Sequence, residues 1–137
     1  FNRLVRHLRG SPVFVGIDSE YSERQFAELR ERRQSRFFVA SDGETPVGYL
    51  EVTGDGENVL TTAPDMVNIC GAFLAEEYRG RGIYDGLLDF TLATLRIEGI
   101  RRIGVDFETT NPAALHFWTK HFDRYTSSFA RRIDALS

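Results

Sequence analysis

The sequence predicts an α/β fold, in which helices are layered on a sheet that has a parallel pair of strands at its centre. The hydrophobic periodicity alternates between helical and strand patterns, in the order helix, helix, three strands, helix, strand, helix, strand. Strand–helix–strand units of this kind favour parallel neighbours in the sheet. The length of 137 residues suits one hydrophobic core. Residues 1–137 are therefore predicted to form a single domain.

Two helices are predicted at the start of the chain. Residues 1–9 place their apolar side chains on one helical face, and Gly10 follows where this helix is expected to end. Ser22 is a suitable N-terminal cap for a second helix over residues 23–34. Nearly all side chains of the second helix are charged, which is typical of a helix on the protein surface.

Three strands are expected next. Residues 36–40 and 46–53 are runs of β-branched and aromatic side chains, and the segment 41–44 between them has the composition of a hairpin turn. Residues 54–64 are polar and contain two glycines, so they are interpreted as a loop. Residues 66–74 then form the third predicted strand.

Helices and strands alternate in the rest of the chain. A turn over 78–82 leads into a helix over 83–97, which is apolar on more than one side and is therefore expected to lie buried between layers. A strand over 102–108 follows, and then a helix over 112–122, which Asn111 is suited to cap at its N-terminus. Residues 125–133 are predicted to form a last short strand.

Charge, hydropathy and cysteine content exclude several classes of function. The formal net charge of −3 argues against a protein that wraps nucleic acid through phosphate contacts. No apolar run is long enough for a transmembrane helix, so no membrane partner is expected. The single cysteine, Cys70, lies in an apolar strand and is expected to be an inert core thiol, which fits a cytoplasmic protein. The His, Cys, Asp and Glu residues show no metal-ligand spacing.

The turn between the third strand and the long helix is the most informative segment. It carries Arg79, Gly80, Arg81 and Gly82 directly before the helix begins. A helix N-terminus exposes unpaired N–H groups and the positive end of the helix dipole, and glycines let an anion approach the backbone. These features indicate a phosphate site. A glycine-bearing turn with arginines facing solvent, and no ligand, is the alternative interpretation.

Two motifs resemble those of the GNAT superfamily of N-acetyltransferases. The turn resembles its coenzyme A signature, (Gln/Arg)-x-x-Gly-x-(Gly/Ala): Arg79 and Gly82 match the first two fixed positions, and Tyr84 occupies the third. The segment that begins at Asn111 resembles the second motif, in which Asn111 and Ala114 match and Trp118 replaces the usual tyrosine. The resemblance covers nearly the whole chain.

The resemblance implies a GNAT-type fold and an acetyl-CoA site. The expected sheet is mixed and mostly antiparallel, with helices on both faces, a splayed parallel pair at its centre, and the family's first strand missing before residue 1. Pyrophosphate would bind the backbone of residues 79–84, the pantetheine arm would lie along Ala72–Leu74, and Asn111 would face the arm. The residues implied to bind the cofactor are Phe73, Leu74, Arg79, Gly80, Arg81, Gly82, Ile83, Tyr84, Asn111 and Ala114.

Acetyl transfer to an amine requires a group that removes a proton from the amine and, ideally, an acid that protonates the leaving thiolate. Asp106 and Glu108 are two residues apart on the predicted strand, so they share a face and are the candidate bases. Both acids facing solvent, or pairing with nearby arginines, is the alternative. Because Trp118 replaces the family's tyrosine, Tyr84 is the remaining candidate acid, and departure of the thiolate without an acid is the alternative.

The resemblance implies an acetyl-CoA-dependent N-acetyltransferase that acts on a primary amine of a small molecule or a protein. A different class of function stays open: an acyl-CoA-binding or interaction domain that has lost catalysis, such as one half of a tandem acetyltransferase or a homodimer subunit. Tyr84 and Trp118 favour that alternative, as does a chain that begins at Phe1. A structural partner domain without a cofactor would require both motif matches to be accidental.

Overall fold

A mixed sheet forms the centre of the fold. The computed structural model describes residues 1–10, 19–56 and 62–127. Within these ranges the sheet has the order β1-β2-β3-β4, with antiparallel pairing of β1 with β2 and of β2 with β3, and parallel pairing of β3 with β4. The strands are β1 (Arg36–Asp42), β2 (Thr45–Thr53), β3 (Met66–Leu74) and β4 (Arg102–Val105). The predicted mixed sheet with a parallel pair is confirmed.

Helices precede and follow the strands in the predicted order. They are α1 (Asn2–Arg9), α2 (Glu23–Arg33), α3 (Ile83–Ile97) and α4 (Pro112–His121). Ser22 caps α2 as expected: its hydroxyl accepts from the Gln25 N–H, and the Gln25 side chain accepts from the Ser22 N–H. In the described part of the chain, no helix has the length and apolarity needed to cross a bilayer.

The two faces of the sheet bury different kinds of side chain. Strand alternation sends Phe38 and Leu50 to one face, where they join the core with α3 and α4. That core consists of Phe38, Leu50, Val52, Ile69, Leu87, Leu88, Leu95 and Trp118. On the other face a chain of aromatic rings connects α1 and α2 to the sheet: its centroid distances are 4.8 Å from Phe1 to Phe26, 5.5 Å from Phe26 to Phe37 and 5.3 Å from Phe37 to Tyr49.

The parallel pair separates along its length. Pairing of β3 with β4 runs from Met66–Arg102 to Ile69–Val105, and β3 then continues to Leu74 without a β4 partner. The register between β2 and β3 also shifts at this point, because Val52 pairs with Ile69 while its neighbour Glu51 pairs with Gly71. Cys70 is the extra residue of this bulge.

Three predictions about this part of the fold are wrong. The fourth strand ends at Val105 rather than at residue 108, because β4 no longer pairs with β3 beyond that point. Cys70 is exposed rather than buried, because the bulge interrupts the alternation of β3. Helix α3 buries one side only, since Phe90 is 62% and Ile97 is 88% exposed.

The remaining boundaries agree with prediction to within two residues in α1, α2, α3 and α4 and in the first three strands. The last predicted strand is not seen at its start, because residues 125–127 are not in a strand. Residues 128–133 of that prediction, and residues 57–61 of the predicted loop, lie outside the described residues.

Candidate active site

The turn before α3 has a left-handed backbone conformation at its two glycines. After β3 the chain makes a short 3-10 turn over Glu76–Tyr78 and then reaches Gly80 and Gly82, which both have φ of +72°. A Cβ atom at either glycine would meet nothing within 4 Å. The left-handed conformation, and not a lack of space, is therefore what these two positions require of glycine.

This turn presents a group of unsatisfied donors. Gly82 is the N-cap of α3 and has no side chain that could accept a hydrogen bond from the first turn. The first hydrogen bond of the helix is the one from the Gly86 N–H to the Gly82 carbonyl, at 3.0 Å. Among the described residues, the N–H groups of Ile83 and Tyr84 donate to no backbone carbonyl. The N–H of Arg79 is used, since it donates to the Glu76 carbonyl at 3.1 Å.

Two exposed arginines flank these donors. The Arg79 Nε donates to the Leu74 carbonyl at 3.3 Å, and the Arg81 guanidinium lies 5.5 Å from the ring centroid of Tyr78. Both contacts leave the positive charges at the surface beside the helix N-terminus. Backbone donors, the helix dipole and two cations thus converge on one patch, which is suited to a phosphate or pyrophosphate group.

The open edge of β3 leads to this patch. Residues 71–74 have no β4 partner, so their backbone faces a gap that an extended ligand can occupy as an added strand. The Phe73 side chain lies on the α1 face, where its ring centroid is 6.3 Å from that of Tyr49 and 5.2 Å from the Arg3 guanidinium. Leu74 is half-buried beside the turn.

Asn111 lies where α1 and α4 meet. Its side-chain oxygen accepts from the Ala114 N–H at 3.2 Å, so it caps α4 as expected. Its amide nitrogen is 3.5 Å from Nε2 of His7 on α1. Helix α1 therefore extends from Phe73 at one end to Asn111 at the other, and His7 is a site neighbour that the sequence analysis did not identify.

The two candidate bases lie beyond β4 rather than on it. Because the strand ends at Val105, Asp106 and Glu108 lie outside the sheet, and the prediction that they share one of its faces is wrong. Asp106 is exposed and Glu108 is half-buried, and the Glu108 carbonyl accepts from the Asn111 N–H at 3.1 Å. Glu108 is thereby placed next to the start of α4, on the segment that leads from the open end of the sheet.

The side chain of Tyr84 is held in place by a hydrogen bond and by an aromatic contact. Its hydroxyl donates to the Tyr49 carbonyl at 3.1 Å, and its ring lies edge-on to Phe117 at 5.0 Å. Burial raises the pKa of the Tyr84 phenol well above its usual value, with a smaller contribution from Tyr49. This environment favours a structural role over proton donation. Trp118 is 4% exposed and belongs to the core.

A buried carboxyl group in the middle of β2 was also missed. Glu51 is 2% exposed, and its Oε2 has no hydrogen-bond partner among the described residues. The hydroxyl of Tyr49, on the same face of β2, also has none. The signal in the sequence was a lone acid within the otherwise apolar run of β2. In the described ranges, no cluster of His, Cys, Asp and Glu side chains could hold a metal ion.

Solved structures with the same fold are numerous. A transcriptional regulator from Bacillus halodurans C-125 aligns with a TM-score of 0.67 and 22% identity, over 96% of this chain and 92% of that one. The aminoglycoside acetyltransferase AAC(6')-Iy, solved with a bisubstrate analogue of CoA and acetylneamine, aligns with a TM-score of 0.66 and 18% identity, over 95% and 92% of the two chains. An aminoglycoside acetyltransferase from an uncultured soil metagenomic sample, solved with trehalose, aligns with a TM-score of 0.69 and 18% identity, over 96% of this chain and 84% of that one.

No curated protein matches this sequence. The sequence profile described as the acetyltransferase (GNAT) family matches residues 2–123, which includes the turn before α3, the open edge of β3 and the start of α4. The resemblance seen in the two motifs is therefore confirmed over most of the chain. The chain belongs to the acetyltransferase (GNAT) family.

Proposed function

We propose that this chain transfers the acetyl group of acetyl-CoA to a primary amine of a small molecule. The observation that carries the proposal is the turn over residues 79–84, where unsatisfied N–H groups and exposed arginines converge at the end of an open strand edge. The pyrophosphate of the substrate fits this patch by charge and by backbone donors. Neighbouring structures that contain CoA analogues support the choice of substrate.

The remaining contacts follow from the path between the turn and α4. The pantetheine arm would lie along the open edge, beside Phe73 and Leu74, and its amide groups would replace the strand partner that β4 does not supply. Asn111 and Ala114 stand at the far side of this path, at the start of α4.

The reaction needs little from the protein beyond placement and one proton acceptor. The amine nitrogen loses a proton to a carboxylate, for which Glu108 and Asp106 are the proposed candidates, and then attacks the thioester carbonyl. A nitrogen–carbon bond forms, the carbon–sulfur bond breaks, and the second proton that the nitrogen loses goes to the thiolate, which becomes the free thiol. Backbone N–H groups at the open edge of β3 would polarise the carbonyl.

The second candidate is a CoA-binding domain without catalysis. It is supported by Tyr84, which is partly buried and bonded to the Tyr49 carbonyl, and by Trp118, which is buried in the core. Neither residue is an obvious substitute for the family's usual tyrosine acid. It would fit one half of a tandem protein or a subunit of a homodimer.

Two measurements separate these candidates. Calorimetric titration with acetyl-CoA and with CoA tests whether the cofactor binds at all. A thiol-release assay with a panel of amines then tests turnover. Binding together with turnover supports the enzyme, binding without turnover of any amine supports the second candidate, and no binding contradicts both.

A further inference from the structure

An aromatic cavity lies on the face of the sheet that carries α1 and α2. Its volume is about 360 Å³, which is in the range of sites for small molecules. Its aromatic lining comes from the start of α1, from α2 and from the first three strands, and consists of Phe1, Phe26, Phe37, Tyr49 and Phe73. No described residue of the turn before α3 or of α4 lines it, so this cavity is distinct from the proposed pyrophosphate patch.

The rings of the aromatic cavity form a continuous row. Each ring centroid is within 6.3 Å of the next, in the order Phe1, Phe26, Phe37, Tyr49 and Phe73. The cavity is accessible from solvent, since Val39 on its wall is 52% exposed. An aromatic ring that enters it would bury apolar surface and could make edge-to-face contacts with the row.

The charged side chains of the cavity wall are both positive. Arg3 and Arg30 line the cavity, and none of the described residues that line it is acidic. Arg3 is partly neutralised, because its guanidinium is 3.6 Å from the Glu77 carboxylate. Arg30 is exposed and forms no ion pair with any described residue. The wall therefore has a net positive charge, which attracts an anionic group and repels an ammonium group.

Arg30 lies close to the middle of the aromatic row. It follows Phe26 by four residues on α2, so the two side chains share one helical face and their Cβ atoms are ~5–6 Å apart. The Phe26 ring contacts both Phe1 and Phe37. A guanidinium can bind a carboxylate through two parallel hydrogen bonds. A ligand with a short chain between its ring and its carboxylate can therefore contact the row and Arg30 together.

We propose that the aromatic cavity binds a small molecule that has one aromatic ring and one carboxylate group. The ring lies among the aromatic side chains, and the carboxylate is bound by Arg30, with Arg3 adding positive charge. This inference does not depend on the proposed acetyl transfer, because the pyrophosphate patch contributes nothing to the cavity wall. A chain that fails to bind acetyl-CoA would still be expected to bind this ligand.

The test is calorimetric titration with 3-phenylpropionate, 2-phenylethylamine and acetate. The first two compounds carry the same ring on a two-carbon chain and differ in the sign of their charge, whereas acetate has the carboxylate without the ring. We expect 3-phenylpropionate to bind at least about tenfold more tightly than either of the others. A smaller preference over either compound, or no binding of 3-phenylpropionate, overturns the inference.

A charge variant on α2 locates the carboxylate. Arg30→Gln should weaken the binding of 3-phenylpropionate by about fivefold or more, because it removes the charge partner. Arg32→Gln removes the same charge two residues further along α2, from a side chain that does not line the cavity, and should leave the affinity unchanged. Equal affinities in these two proteins would contradict the proposed role of Arg30 and overturn the inference.

A second pair of variants tests the cavity wall on β1. Val39→Glu places a negative charge at the exposed part of the wall, and Val39→Gln adds a side chain of the same size without the charge. The Glu variant should bind 3-phenylpropionate about fivefold or more weakly than the Gln variant. Thermal melting shows whether each variant is folded. Equal affinity in the two folded proteins would mean that the compound binds elsewhere, which also overturns the inference.

Discussion

The phenol of Tyr84 on α3 donates a hydrogen bond to the backbone carbonyl of Tyr49 on β2, over 3.1 Å. This bond fastens the N-terminal end of α3 to a strand that is not its neighbour in sequence. The helix end that carries the proposed pyrophosphate site is thereby fixed relative to the sheet. Tyr84 occupies the motif position at which the family prefers glycine or alanine, and in this chain its side chain stabilises the packing of α3 on the sheet.

Removal of this hydrogen bond should lower stability and spare activity. Tyr84→Phe keeps the ring packing on Phe117 but leaves the Tyr49 carbonyl without its donor, which should cost about 1 kcal/mol of unfolding free energy. Urea denaturation measures the loss. Since burial keeps the phenol protonated, kcat/KM should change by less than threefold. A large fall in kcat at unchanged stability would show that Tyr84 donates a proton after all.

Replacement of Gly82 should abolish acetyl-CoA binding. Gly82→Glu introduces a carboxylate beside the proposed pyrophosphate and a side chain at φ of +72°, where L residues are strained. Gly99→Glu is the control for backbone strain without a charge at the site. Gly99 also has a positive φ, of +88°, but it follows the other end of α3. Calorimetry should show loss of affinity in the first variant only. Equal affinity in both folded proteins would contradict the proposed site.

Trp118 is predicted to be a stability residue. Trp118→Ala removes a ring that is 4% exposed and contacts Tyr84, Phe117 and Phe122 edge-on, so it should cost ~3–5 kcal/mol of unfolding free energy. Trp118→Phe should recover part of that loss. A Trp118→Ala protein that melts at the normal temperature but lacks activity would instead indicate a catalytic role.

Glu108 is the proposed proton acceptor and is tested by an isosteric change. Glu108→Gln should lower kcat/KM by ~10²–10⁴ with acetyl-CoA affinity unchanged, since it removes a base and keeps the shape. Asp106→Asn is the comparison, because Asp106 is exposed two residues away. Loss of turnover in the Asp106 variant alone would move the role to that residue. Full turnover in both would mean that the amine loses its proton elsewhere.

Acid should weaken the contact between α3 and α4. Asp85 accepts from Lys120 at 2.8 Å and is 3.1 Å from His121, and these contacts, the Lys120 hydrogen bond first, hold the Asp85 pKa below its usual 3.8. A carboxyl whose pKa is lower in the folded state stabilises the protein above the unfolded pKa, and this contribution disappears as the pH falls through the folded pKa.

Asp85→Asn should therefore lower Tm at pH 7, and this effect should shrink as the pH falls below 3.8 and through the folded pKa of Asp85. Asp89→Asn removes the same charge one turn further along α3 and serves as the control. Melting curves of both variants from pH 7 into the acid range give the comparison. A Tm difference that does not shrink as the pH falls would mean that the effect of Asp85→Asn is not electrostatic.

The order of the elements and the turn could be predicted because their signals are local. The Ser22 cap, the glycines before α3 and the Asn111 cap each act within a few residues, and all three are found as expected. The end of β4, the bulge at Cys70 and the burial of Glu51 depend on which strands lie side by side. The alternation within the third and fourth predicted strands looked regular, so nothing near those two exceptions marked them. For Glu51 the one signal was an acid within an otherwise apolar run.

The open edge of β3 also has a consequence for how the protein behaves in solution. Main-chain groups of residues 71–74 that β4 does not pair with can form hydrogen bonds with a strand from another copy of the chain. Self-association and precipitation at high concentration should therefore begin at this groove. A molecule that fills the groove would act as a solubilising cap, and the loaded protein should tolerate concentrations at which the empty one aggregates.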